Sequence, residues 1–264
     1  TGSRTDSLPP IASSSPRPTT AATTAIFPKP IQSTATLVIG MRPKHLAIEL
    51  SKLTPHPCTS VELEQYATEG DLAAYWLLGI DQVDGLEGKK VLDLGTGNGI
   101  LGCGCLLLDA AQVTMVESDL DVVKVAEKNA EHIMRTTSGM ATILHRHITK
   151  DSPRPKFSPD VVVMNPPWGV QTPRADRPML EYAFSLDAPV VHVLHSAQSK
   201  HLQALAKEHG YESEAMLETN FRLPPTYQHH VKRRAATPVL CWRFHRPGDA
   251  KLVVDEDDED NRSV

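Results

Sequence analysis

The chain has 264 residues, 40% of them hydrophobic, and a formal net charge of −5, which suits one sizeable buried core and is short for two large domains. No apolar run exceeds about eight residues, no secretory signal is visible, and the composition therefore points to a cytoplasmic protein rather than a membrane-embedded or exported one, with nuclear or organellar placement left open. The charge is uneven: residues 255–260 are six consecutive acids, and without them the net charge becomes +1, so the rest of the chain has no bulk repulsion toward a phosphate backbone.

Residues 1–40 are rich in Ser, Thr, Pro and Ala, hold a single acid, Asp6, and show no helix or strand period before Thr36. That composition predicts a disordered extension. Arg4, Arg17 and Lys29 among many hydroxyls also fit a transit peptide, which amphipathic periodicity does not support. A folded domain is expected over 41–247, followed by a disordered acidic tail over 248–264. Arg42, Lys44, His45 and Lys52 fall on a first helix, most simply as its solvated face. Thr68 precedes an amphipathic run from Glu69 to Leu78, in the position of a helix N-cap.

From residue 90 the pattern alternates: strand 90–94, helix 99–109, strand 112–117, helix 120–134, strands 141–145 and 160–164, helix 175–187, strand 189–194, helix 199–209, and strands 212–220 and 237–244. Such alternation predicts a mostly parallel sheet covered on both faces, a Rossmann-like α/β fold. The last two strands, joined only by a loop, are expected to form an antiparallel pair at one edge. Cys58, Cys103, Cys105 and Cys241 have no C-x-x-C spacing and no companion histidines at ligand intervals, so reduced core thiols and no metal site are expected.

Two loops carry chemistry. Residues 89–99 read KKVLDLGTGNG, an apolar strand ending in Asp93-Leu94 before glycines 95, 97 and 99. Glycine there permits a tight turn and close approach of backbone N–H groups to a ligand. The D-x-G-x-G-x-G pattern resembles the first motif of S-adenosyl-L-methionine-dependent methyltransferases. Glu117 ends the next strand, where a carboxylate can accept from two ribose hydroxyls. The second loop follows the β-branched run Val161 to Met164 and reads Asn165-Pro166-Pro167-Trp168-Gly169. Two prolines stop any regular element and stiffen the turn. The Asn165 amide oxygen and the Pro166 carbonyl can then accept both hydrogens of a planar amine, and Trp168 can offer a stacking face.

With Leu63-Glu64-Gln65-Tyr66-Ala67-Thr68, His195 with Lys200, and Leu223-Pro224-Pro225-Thr226-Tyr227 added in order, the segment from about Met41 to Arg246 resembles the family of methyltransferase-like protein five. The resemblance implies a seven-stranded class I methyltransferase fold and N6-methylation of an adenosine in small-subunit ribosomal RNA. It implies that Gln65, Thr68, Asp93, Gly95, Gly97, Asn98, Ile100 and Glu117 hold S-adenosyl-L-methionine, and that Asn165, Pro166, Pro167 and Trp168 hold the target base. It also implies a heterodimer with a small zinc-binding activator protein on the free edge of the third strand, residues 141–145. Trp168 departs from the family's usual Phe, and His147 stands where the family has an adenine-binding Asp. Tyr227, His229, His230, Lys232, Arg233 and Arg234 form a basic cluster with an aromatic, suited to RNA phosphates around an extruded nucleotide. Methylation of a glutamine amide in a release factor or of guanine N2 fits the Asn-Pro-Pro-aromatic loop as well, and a catalytically silent ribosome-binding module is a reading of a different class.

Overall fold

A computed structural model describes residues 41–58, 68–169, 172–222 and 236–252. Gln65, the cluster from Tyr227 to Arg234, the extension over 1–40 and the acidic run lie outside the described residues. Thirteen elements occur among those described: α1 (Pro43–Ser51), α2 (Gly70–Asp84), β1 (Lys90–Leu94), α3 (Ile100–Leu107), β2 (Gln112–Glu117), α4 (Leu120–Met134), β3 (Met140–His145), β4 (Val161–Met164), α5 (Arg177–Ser185), β5 (Val190–Ser196), α6 (His201–Glu208), β6 (Glu212–Arg222) and β7 (Ala236–His245). The alternation read from the sequence is present, with ends that coincide or shift by at most two residues. Helix α3 stops early because Asp109 adopts a left-handed φ of 63°, turning the chain toward β2.

The strands form one seven-stranded sheet in the order β3-β2-β1-β4-β5-β7-β6. The first five are parallel, while β7 runs antiparallel between β5 and β6. Side chains alternate across the sheet with the period of two that strands impose. Val91, Val113, Val161 and Val163 join the core beneath α1, α2 and α3, whereas Leu92, Leu94, Val162 and Met164 join the core beneath α5 and α6. Burial on both faces is why Val161 to Met164 reads as an unbroken apolar run.

The chain order reverses between β1 and β4, and in such sheets the crevice beyond the carboxyl ends of the strands at that point receives ligands. The opposite end is closed by charge. Arg243 on β7 is fully buried and donates to Asp84 at 2.7 Å, to Glu214 at 2.7 Å and to Asp249 at 2.7 Å. His192 Nε2 donates to Asp84 at 2.9 Å, and its Nδ1 has no partner among the described residues, which matches a neutral imidazole. Backbone N–H groups of Lys251 and Leu252 donate to Glu214, so the packed chain extends five residues beyond the boundary expected at 247.

Candidate active site

The first loop is built around a buried carboxylate. Asp93 is fully buried and accepts from Thr96 Oγ1 at 2.5 Å and from the Gly102 N–H at 2.9 Å, tying the strand to the first turn of α3. Gly95 and Thr96 donate their N–H groups to Val116 O, which lays the loop across the end of β2. Gly95, Gly97 and Gly99 have φ of 66°, 56° and 84°, values that a side chain disfavours. At Gly97 a Cβ would also sit 3.0 Å from the His56 ring.

A cavity of about 320 Å³ opens at the carboxyl ends of β1, β2 and β4. Its wall brings together Thr68, Gly95, Gly97, Asn98, Ile100 and Glu117 with His147, Asn165 and Pro167. Glu117 is buried: its Oε2 accepts from Gly97 N–H at 3.0 Å, and its Oε1 from Ser118 and Asp119 N–H at 2.7 and 3.0 Å. A carboxylate offers about four lone pairs, so acceptor capacity remains toward the cavity, mainly on Oε2. Apolar Val116 and Ile148 lie beside it, and His147 is exposed at the rim. A nucleoside with vicinal hydroxyls and a flat apolar base fits these groups.

Asp93 and Trp168 are placed differently from the sequence expectation. Asp93 lies under the loop and outside the cavity wall, where it shapes the glycine turn. Burial pushes its carboxyl up to about 7, against the hydrogen bonds from Thr96 and Gly102. A raised folded pKa means that the folded chain holds the proton over a window in which the unfolded chain has released it. Stability from this group is therefore complete below about pH 4 and is lost as pH rises toward 7. Asp93→Asn is expected to gain stability relative to the wild type between pH 5 and pH 8, read as the difference in urea midpoints of ligand-free protein. A difference that stays constant across that range overturns the assignment.

Trp168 is 8% exposed, is absent from the cavity wall, and tilts against His195 with ring centroids 6.1 Å apart. Its Nε1–H donates to Asn165 Oδ1 at 3.1 Å, and Asn165 Nδ2 donates to Thr68 Oγ1 at 3.1 Å. An indole nitrogen can only donate, so this contact fixes which end of the Asn165 amide is oxygen. The indole thus sets the amide instead of presenting an open face. Thr68 does not cap α2, whose N-cap is Glu69 without a side-chain bond; its hydroxyl belongs to the site. Pro166 is also absent from the cavity wall.

His56 was not singled out from the sequence. Flanking prolines 55 and 57 stiffen its segment, which was the available signal. The segment is held over the glycine loop by Asn129, which accepts from Thr54 N–H at 2.8 Å and donates to Asn98 O at 2.8 Å. Burial holds the His56 imidazole below its ordinary value, against the opposing pull of Glu117 and Asp119.

Residues 68–187 match the methyltransferase small domain family model. The chain is 28% identical to the rRNA N(6)-adenosine-methyltransferase METTL5 of Danio rerio, over 77% of this chain and 99% of that one. It is 30% identical to metl-5 of Caenorhabditis elegans, which bears the same enzyme name, over 75% of this chain and 94% of that one. The chain belongs to the METTL5 family. A crystal structure of PH1948 from Pyrococcus horikoshii, described as a candidate RNA methyltransferase, is 33% identical and superposes with a TM-score of 0.67 over 78% of this chain and 96% of that one. This METTL5-family chain is therefore an S-adenosyl-L-methionine-dependent methyltransferase with the Rossmann-like class I fold. No helix among the described residues is long and apolar enough to cross a membrane.

Proposed function

We propose that this protein methylates the N6 amine of an adenosine in small-subunit ribosomal RNA. The observation that carries the reading is the Asn165 amide, oriented by Trp168 and Thr68 at the mouth of a cavity floored by the glycine loop and Glu117. The similarity to rRNA N6-adenosine methyltransferases, which spans 75–77% of this chain, supports the same substrate class.

An adenine amine is a poor nucleophile because its lone pair is delocalised into the ring. Asn165 Oδ1 keeps a second lone pair beyond the one facing Trp168 and accepts one amine hydrogen; the Pro166 carbonyl accepts the other. Held this way, the nitrogen becomes pyramidal and points its lone pair into the cavity. Bound S-adenosyl-L-methionine supplies an electrophilic methyl on a sulfonium, so alignment is the main demand on the protein. Pro167 forms the wall between the two ligands, and the displaced proton leaves to solvent. Gln65, Thr68, Gly95, Gly97, Asn98 and Ile100 hold the cofactor, Glu117 its ribose, and His147 its adenine edge. A base stacked in a helix cannot reach the cavity, so the target is single-stranded or extruded.

Arg222 pairs with Ala236 at the end of β6 that points the same way as the carboxyl end of β5. The segment holding Tyr227, Lys232, Arg233 and Arg234 therefore starts from the site end of the sheet, which supports its assignment to RNA phosphates. The open edge strand β3 begins with Met140, 64% exposed. An apolar open edge suits strand addition by a partner, and we assign it to the small zinc-binding activator. The domain assignment is one catalytic unit that begins at residue 41 and runs to the end of the packed chain.

Removing the ribose carboxylate with Glu117→Ala is expected to weaken S-adenosyl-L-methionine binding roughly 10- to 100-fold, since hydrogen bonds to a charged acceptor contribute ~1.5–3 kcal/mol; calorimetric titration reads it, and unchanged affinity sinks the role. The substrate assignment is tested by transfer of labelled methyl to small-subunit RNA, with and without the host's activator. Label recovered as N6-methyladenosine is expected. Label in protein or on guanine, or none despite cofactor binding, overturns it.

A further inference from the structure

Asp176, His195 and His201 come from three elements: the N-cap of α5, the penultimate residue of β5 and the first residue of α6. Asp176 Oδ2 lies 3.1 Å from His195 Nε2 and 2.5 Å from His201 Nε2, and one donor atom from each residue falls within 4.8 Å of the other two. Two imidazole nitrogens and one carboxylate oxygen converging on a point form the donor set of borderline divalent ions, with coordination positions left for water. We propose that Asp176, His195 and His201 bind one divalent transition metal ion of the zinc, cobalt and nickel class, which fastens the start of α5 to the β5–α6 turn.

The surroundings suit an ion as well as the donors do. A metal on His195 Nε2 requires its Nδ1 to carry the proton and donate it outward. Ser199 Oγ lies 2.7 Å from that Nδ1, and a hydroxyl can accept there. The Asp176 and His195 side chains are 2% and 1% exposed, while that of His201 is 50% exposed. Two ligands are thus rigidly seated, and the third stands at an entrance from solvent. Ala175 directly before Asp176 and Pro178 two residues after it are both in the cavity wall. The bound ion stiffens that wall, and methyl transfer does not pass through it.

The test uses the full chain without a histidine tag, stripped by a chelator. Titration with Co²⁺ is expected to give one ion per chain with visible ligand-field absorption that Zn²⁺ displaces. Zn²⁺ at about 100 times its dissociation constant is expected to raise the unfolding midpoint by roughly 5–10 °C. His201→Ala, at a half-exposed position, leaves the metal-free fold and midpoint in place and abolishes both signals. Ser199→Ala keeps every ligand yet is expected to lower affinity roughly 10- to 100-fold. A wild type without one-to-one binding overturns the proposal, as does binding that survives His201→Ala.

Discussion

Asn165→Ala is expected to lower methyl transfer by about 10²–10³-fold, the scale seen when one preorganised polar group at a reacting centre is removed, equal to ~2.7–4 kcal/mol of transition-state stabilisation. The loss belongs to turnover. The Asn165 amide bonds Thr68 and Trp168 and only borders the cavity, so cofactor affinity is expected to stay near the wild-type value. Asn165→Asp keeps an oxygen toward Trp168 and can accept a hydrogen bond from the Thr68 hydroxyl, and should retain more activity than alanine. Initial rates with small-subunit RNA, set beside calorimetric cofactor titrations, separate the two effects. An alanine variant within a few-fold of wild type removes Asn165 from the mechanism, while equal losses in both variants show that the amide donor, rather than its oxygen, is what matters.

The second large effect lies at the other end of the sheet. Arg243→Ala is expected to cost about 3–5 kcal/mol, because removing one partner of a buried ion group leaves the rest uncompensated. The Arg243 side chain is fully buried and those of Asp84 and Glu214 are 5% and 11% exposed, so solvent screens the loss little. For a domain of this size that corresponds to a fall of roughly 10 °C in the unfolding midpoint. A loss near zero means that the carboxylates find water instead. Burial alone would raise the Asp84 carboxyl, but the N–H groups of His192 and Arg243 hold it well below the usual carboxylate range. A depressed folded pKa gives stability that is present above the unfolded value and is lost as pH falls. Acid should therefore destabilise the wild type more steeply than Arg243→Ala, opposite in sign to the trend attached to Asp93.

Much of the fold was legible because its signals are local. The period of two in the strands, the β-branched run before Asn165 and the helical spacing between them are properties of short windows, and they gave the element order to within a few residues. Both loops of the site were legible for the same reason, since glycine and proline act on their own backbone. Glu117 followed from its place at a strand end.

The rest depended on which elements become neighbours. Trp168 could be read as an aromatic face, but its direction depends on the Asn165 amide and the buried His195 ring beside it. Asp93 sits in the motif expected to touch a ligand, yet its carboxylate is used by Thr96 and Gly102 beneath the loop. Asn129 reaches Thr54 across 75 positions, and Arg243 reaches Asp84 across 159. No window of sequence holds both partners of such a pair. The strand order β3-β2-β1-β4-β5-β7-β6 brings them together, as it brings Asp176 to His195 and His201. The sequence by itself determined the elements, the glycine loop and the stiff Asn-Pro-Pro turn, because each is enforced by the residues that compose it. The tertiary structure alone decided which polar groups meet, because a hydrogen bond between distant residues depends on sheet order and packing, which no single segment specifies.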